Sequence, residues 1–279
     1  MQRTQITDPA DPRLDDVRDL NHSDNRPDLP GGKGLVVAEG PLVVSRLLES
    51  RFPARALVGF PAKLDAFLAE HGDLVPEDLP IYEVSRELLA EVAGFDMHRG
   101  LLATADRIPE LGVAEAIAGT RTVCVLEGVG DHENIGAIFR NAAGLSVDAV
   151  LFGSGAADPL YRRSVRVSMG HVLRTPFAHF GGTYTTWQRS LQQLRDAGFR
   201  LVSMTPSGDQ SLAQALVDAE GRPWDKVALL VGAEGPGLTE HAMKATDARA
   251  VIPMAPGTDS LNVATSAAIG FYERLRSLT

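Results

Sequence analysis

Asn134, Arg140, Glu234, Ser260 and Asn262 are the polar side chains on which chemistry could be built, each set in a short run of permissive or apolar residues. Three segments carry them in fixed order: Asn134-Ile135-Gly136-Ala137-Ile138-Phe139-Arg140, Gly232-Ala233-Glu234-Gly235-Pro236-Gly237, and Ile252-Pro253-Met254 followed by Ser260-Leu261-Asn262. Such pairing suits loops that approach a ligand closely while a few side chains face the reacting groups. One pocket built from three loops is the natural reading.

Each segment also has a plainer reading. The first opens a helix after a strand, where unpaired backbone N–H groups favour anions; Asn134 could be only its cap and Arg140 an ordinary surface arginine. The second follows the apolar strand Val227 to Val231, and its glycines alone would make a strand-to-helix turn. Its spacing is not that of a dinucleotide loop, and Glu234 would repel a pyrophosphate, so a cationic or hydroxyl-bearing ligand fits better. In the third, Ser260 or Asn262 could cap the final helix. Capping needs one residue, whereas Thr258, Asp259, Ser260 and Asn262 all crowd the entrance, and that surplus hints at a ligand. Ile252 and Leu261 could wall an adenine ring and bond it through their main chain.

Other constellations are missing. There is no H-E-x-x-H, no G-x-S-x-G elbow and no His pair at ligand spacing with carboxylates, so no metal is expected. Gly31-Gly32-Lys33-Gly34 lacks the Ser/Thr of a phosphate loop. The single cysteine, Cys124, lies in an apolar run and reads as a buried strand residue. The opening residues carry no apolar core of signal-peptide length, and no run approaches the roughly 18 residues of a membrane span, which makes the cytoplasm the expected compartment.

The chain of 279 residues is 44% hydrophobic, enough for one large or two moderate domains. Its formal charge of -9 is unevenly placed: residues 1–118 hold 12 Lys+Arg against 21 Asp+Glu, residues 119–279 hold 15 against 15. From Pro159 to Arg195 there are six arginines and no acid, either a local basic surface or a solvated helical face with its acids elsewhere.

The elements that must position these residues alternate strand and helix. An arm or mobile lead-in over 1–32 precedes a small α/β domain over 33–107, with strands at Leu35 to Ala38, Ala56 to Val58, Ile81 to Val84 and Leu101 to Ala105. A linker spans 108–120. In the domain over 121–279, strands at Thr122 to Leu126, Ala149 to Phe152, Phe199 to Met204, Val227 to Val231 and Ala250 to Ile252 alternate with helices, among them Tyr161 to Met169, Thr185 to Asp196 and Asn262 to Arg276. Apolar faces on both sides predict a parallel, helix-covered sheet with ligands beyond its carboxyl edge.

The three segments resemble the signatures N-x-G-x-x-x-R, G-x-E-x-x-G and I-P-M with S-L-N of the SpoU/TrmH family of RNA ribose 2'-O-methyltransferases, in the SPOUT superfamily. The resemblance is strong over residues 121 to 276; Glu39-Gly40 and His98 to Ala103 also resemble pieces of the family's ribosomal-protein-like substrate-binding domain. It implies a C-terminal domain with a trefoil knot, a homodimer, and S-adenosyl-L-methionine bound in the knot. Gly232, Ile252, Leu261, Met254 and Gly237 would hold the cofactor, and Asn134, Arg140, Glu234, Ser260 and Asn262 would line the reaction site. Arg162, Arg163, Arg166, Ser168 and Arg99 would contact RNA, rRNA in preference to tRNA. Arg140 is the family's candidate for activating the ribose oxygen; because arginine is a poor base, it is expected to anchor a phosphate and stabilise the developing alkoxide. Two departures bear on loop shape: Asp131-His132-Glu133 replaces the usual Asp-Pro-x, and Leu145-Ser146 the usual Phe-Gly or Leu-Gly. A tRNA enzyme, a non-catalytic RNA-binding or assembly factor, and a nucleotide-dependent oxidoreductase are the competing readings.

Overall fold

Thr122–Glu127 and Val227–Gly232 bury side chains on both faces, which requires a sheet covered on both sides. In the computed structural model, which describes residues 3–20 and 34–279, they are neighbouring strands of a seven-stranded parallel sheet. The chain forms two units: Met1–Pro109 with Leu160–Arg174, and Glu110–Pro159 with Thr175–Thr279.

Unit one contains β1 (Arg3–Gln5), β2 (Val36–Glu39), α1 (Pro41–Leu48), β3 (Ala54–Gly59), α2 (Pro61–His71), β4 (Ile81–Glu83), α3 (Arg86–Ala93) and β5 (Leu101–Ala105). Proline opens α1 and α2, and Ser85 caps α3 by accepting from the Leu88 N–H at 3.1 Å. The sheet runs β1-β4-β3-β5-β2, parallel across the first three strands and antiparallel around β5. Within the expected arm, residues 3–20 are instead built in. β1 pairs with β4, and Ile6, Leu14, Val17 and Leu20 are buried in the core. Apolar residues spaced among Asp and Pro were sufficient anchors. The rest of that arm, residues 1–2 and 21–32, lies outside the described residues.

The helix expected over Tyr161 to Met169 also departs from expectation. It is α6 (Arg162–Val167), and with its flanks it belongs to unit one rather than to a contiguous domain over 121–279. Arg162 explains this locally, because its guanidinium pairs with the buried Glu39 carboxylate and lies 4.8 Å over the Phe95 ring.

Unit two contains α4 (Val113–Ala116), β6 (Thr122–Glu127), α5 (His132–Gly144), β7 (Ala149–Phe152), β8 (Phe177–His179), α7 (Gln192–Asp196), β9 (Arg200–Met204), β10 (Gln210–Ser211), α8 (Leu212–Ala215), β11 (Val227–Gly232), α9 (Glu240–Lys244), β12 (Ala248–Val251) and α10 (Val263–Ser277). The strand order is β10-β12-β9-β11-β6-β7-β8, all parallel. The expected linker is partly core, since Val113, Ala116 and Ile117 pack with Val125, Leu151 and Trp187. Cys124 is fully buried, and burial pushes its thiol well above the ordinary range, so it is no nucleophile.

Two local features carry measurable consequences. Arg274, 1% exposed, donates to the Trp224 and Asp225 carbonyls at 2.7 and 2.8 Å and to Thr122 Oγ1 at 3.2 Å; burial pulls its guanidinium pKa down to about 10. Arg274→Ala strands these acceptors and leaves a cavity, and urea unfolding is expected to show a loss of about 3 kcal/mol. Ser146 has a φ of 57°, in the left-handed region that favours glycine. Ser146→Gly should raise stability by about 1 kcal/mol in the same measurement.

Candidate active site

The loops after β6, β9, β11 and β12 leave one edge of the parallel sheet, and three of them carry the polar residues singled out above. Because β11 lies between β6 and β9, and β12 follows β9, the segments far apart in sequence become neighbours.

Three of the five reaction-site candidates form a bonded triangle. Asn262 Nδ2 donates to Glu234 Oε1 at 2.7 Å and to Asn134 Oδ1 at 2.8 Å, and Asn134 Nδ2 donates to the same Glu234 oxygen at 3.2 Å. The Asn262 orientation is fixed by its second task. Its Oδ1 caps α10 by accepting from the Ala264 and Thr265 N–H groups at 3.0 and 3.1 Å, leaving only the NH2 to face the triangle. Asn134 is not the cap of its helix. Asp131 caps α5, accepting from the Glu133 N–H at 2.7 Å, and Asn134 is buried in the first turn. Glu234 Oε2 has no hydrogen-bond partner among the described residues and is left for a ligand.

Beside the triangle is a cavity of about 790 Å³. All five residues expected to hold a cofactor line it, namely Gly232, Gly237, Ile252, Met254 and Leu261, as do Glu234, Ser260 and Asn262. Sequence reasoning missed Thr205-Pro206-Ser207, which leave β9 and line the same cavity; an apolar strand running into a Pro/Gly loop was the available signal. Among the described residues no Lys or Arg lines the cavity, and its charged lining residues are Glu234 and Asp259. Two carboxylates without a cation disfavour a dinucleotide or nucleoside triphosphate and favour a positively charged ligand.

The backbone around the cavity is tightly folded. The Gly232–Gly237 segment doubles back so that the Gly237 N–H donates to the Ala233 carbonyl at 2.9 Å, with φ of 85° at Gly235 and 69° at Gly237. A Cβ on Gly232 would lie 2.2 Å from Gly237 C and Leu238 N.

Arg140 does not join this group. It is exposed on α5, does not line the cavity, and has no hydrogen bond or ion pair among the described residues. The expected RNA-contacting residues fall into unit one. Tyr161, Arg162, Arg163 and Arg166 surround a cleft of about 250 Å³ with Phe95, a residue the sequence did not single out. Arg99 is exposed and its Nη1 donates to the Glu39 carbonyl at 3.1 Å. Ser168 does not join them. It is fully buried, donates to the Val165 carbonyl at 3.0 Å, and faces no solvent, because it ends α6 against the unit-one interior.

The profile of the SpoU rRNA Methylase family matches residues 121–272, more than half of the chain. The chain belongs to the SpoU rRNA methylase family. This SpoU member is 56% identical over 273 residues to an uncharacterized tRNA/rRNA methyltransferase of Mycobacterium tuberculosis, covering 98% of this chain and 91% of that one. A crystallised RNA 2'-O ribose methyltransferase shares its fold with a TM-score of 0.77 at 26% identity, over 99% of each chain. An AdoMet-bound rRNA methyltransferase of Sinorhizobium meliloti superposes with a TM-score of 0.77 over 100% of each chain at 23% identity, a likeness of fold. No helix among the described residues is long and apolar enough to cross a membrane, and no cluster of His, Cys, Asp and Glu among them could hold a metal.

Proposed function

We propose that this SpoU member transfers a methyl group from S-adenosyl-L-methionine to a ribose 2'-hydroxyl of RNA, ribosomal RNA in preference to tRNA. The observation that carries this is the anionic cavity joined to the Asn134–Glu234–Asn262 triangle. When bound, S-adenosylmethionine supplies a methyl on a cationic sulfonium, and a cavity lined by the Glu234 and Asp259 carboxylates is electrostatically matched to it. Gly232, Gly237, Ile252, Met254 and Leu261 are its walls; the steric closure at Gly232 presents backbone rather than side chain to the ligand.

Transfer to a hydroxyl needs orientation, exclusion of water and a place for the developing negative charge. The two amides hold Glu234 Oε1, so its Oε2 has a fixed direction into the site. Ser260 is exposed at the rim and suits the incoming hydroxyl. Arg140 is assigned the RNA phosphate and the alkoxide charge, while the hydroxyl proton leaves to solvent, the phosphate or a neighbouring group. The trefoil knot is part of this reading, supported by membership of the SpoU family. The homodimer is supported by Ile269 and Tyr272, 36% and 58% exposed on α10, the helix that packs on α5 beside Arg140 through the Asn141-to-Ala264 bond.

RNA contact is assigned to the unit-one cleft, where guanidinium groups and the Phe95 and Tyr161 rings suit phosphates and an unstacked base. Arg166→Ala should weaken RNA binding about 3- to 10-fold and reduce the slope of log K against log salt by about one, read by fluorescence anisotropy. The function itself is tested by incubating purified protein with unmodified rRNA or tRNA and labelled S-adenosylmethionine, then mapping ribose methylation. Label at a 2'-oxygen of rRNA supports the proposal; label only in tRNA, only on bases, or nowhere overturns the corresponding part.

A further inference from the structure

Glu127 is 2% exposed, has no ion-pair partner among the described residues, and yet carries four hydrogen bonds. Its Oε1 accepts from Trp187 Nε1 at 2.9 Å, Gln188 Nε2 at 3.2 Å and Thr239 Oγ1 at 2.9 Å; its Oε2 accepts from the Thr239 N–H at 2.7 Å. A buried carboxylate without a cation is costly, and here neutral donors alone compensate it. Its position explains what the arrangement achieves. Glu127 is the last residue of β6 and pairs in register with Gly232, the last residue of β11 and the opening of the cavity loop. The same loop closes at Leu238, and the next residue is Thr239, the one Glu127 grips through both main chain and side chain. Thr239 also caps α9 by accepting from the Ala242 N–H at 3.2 Å, so helix and loop end share one anchor.

We propose that Glu127 is a positioning residue for the cofactor cavity: its backbone pairs with the opening of the Gly232–Leu238 loop while its carboxylate holds the closing end. The loop is thereby preset before a ligand arrives, which lowers the ordering cost of binding. This rests on reading the cavity as the S-adenosylmethionine site, but the clamp itself is a property of the ligand-free chain.

Glu127→Gln is the selective test. With its carbonyl serving the three donors at Oε1, the amide NH2 faces the Thr239 N–H, donor against donor, and the hold on the loop is lost. Three readouts apply to the full chain: calorimetry with S-adenosylhomocysteine, RNA binding, and hydrogen exchange of the ligand-free protein. Glu127→Gln is expected to weaken S-adenosylhomocysteine about tenfold and to speed exchange at 235–239 about tenfold, with RNA affinity and exchange at 149–152 unchanged. Thr239→Ser, which keeps both groups, should stay within about twofold of the parent, whereas Thr239→Val, which keeps the main-chain bond to Oε2 and loses the hydroxyl bond to Oε1, should move both readouts in the direction of Glu127→Gln by about threefold to fivefold. If Glu127→Gln does not fold, the Thr239 pair decides. Parental loop exchange and parental affinity in the folded variants overturn the proposal. A parent that fails to bind S-adenosylhomocysteine overturns the cavity reading instead, and loop exchange then decides the clamp alone.

Discussion

Arg140→Ala is expected to reduce methyl transfer to RNA about 10²- to 10³-fold while leaving S-adenosylhomocysteine affinity within about twofold. The separation follows from where the side chain lies. Arg140 does not line the cavity, so removing it takes nothing from the cofactor. It is exposed and has no hydrogen bond or ion pair among the described residues, so removing it takes little from the fold. What is lost is a cation available to an incoming polyanion at the moment charge develops on oxygen. Arg140→Lys refines the assignment, because lysine keeps the charge and loses the planar fork. A further loss of about tenfold relative to the parent assigns the fork to a bidentate phosphate contact, whereas near-parental turnover assigns only the charge. Single-turnover rates with saturating cofactor, alongside calorimetry, make the measurement. If Arg140→Ala lost cofactor affinity and turnover equally, the role in charge stabilisation would be wrong and Arg140 would belong to the cofactor site.

The parts of this site legible in the sequence are those that neighbouring residues determine. Glu234 is conspicuous because a carboxylate in a glycine loop contradicts dinucleotide binding, and the group Thr258, Asp259, Ser260 and Asn262 because a cap needs only one such residue. In the structure Asn262 is itself the cap of α10, and its amide also bonds Glu234. The positions of β6, β7, β9, β11 and β12 were readable for a similar reason, as apolar runs have few other uses, whereas β8 and β10, three and two residues long, were too short to declare themselves. What was not readable depends on distant partners. Glu127 looks like the polar end of a strand until Trp187 and Thr239 arrive beside it. Ser168, Arg162 and the flanks of α6 look like part of a basic stretch, but Glu39 and Phe95, more than fifty residues away in sequence, draw that stretch into unit one. β1 is only three residues long, too short for a period of two to declare itself, and it exists because β4 offers an edge.

Gly232→Ala should abolish measurable S-adenosylhomocysteine binding, a loss of at least about 100-fold, while the protein stays folded at a cost of about 1–3 kcal/mol. Gly232 does not have a positive φ, so the backbone itself would accept alanine. The obstacle is space: the new Cβ would lie 2.2 Å from Gly237 C and Leu238 N and 2.4 Å from Gly237 O, all main chain and none able to rotate aside. The loop must open, breaking the 2.9 Å bond from the Gly237 N–H to the Ala233 carbonyl and shifting Glu234 away from Asn134 and Asn262. Gly235→Ala is the matched control. Its Cβ meets nothing within 4 Å, but its φ of 85° strains any L side chain, so it should cost about 1–2 kcal/mol of loop strain without a clash. Calorimetry with S-adenosylhomocysteine and urea unfolding of the two variants separate crowding from strain. Equal affinity losses in both would mean that loop flexibility rather than closure at Gly232 controls the site. Loss confined to Gly232→Ala means that the cavity depends on main chain meeting main chain where β11 ends.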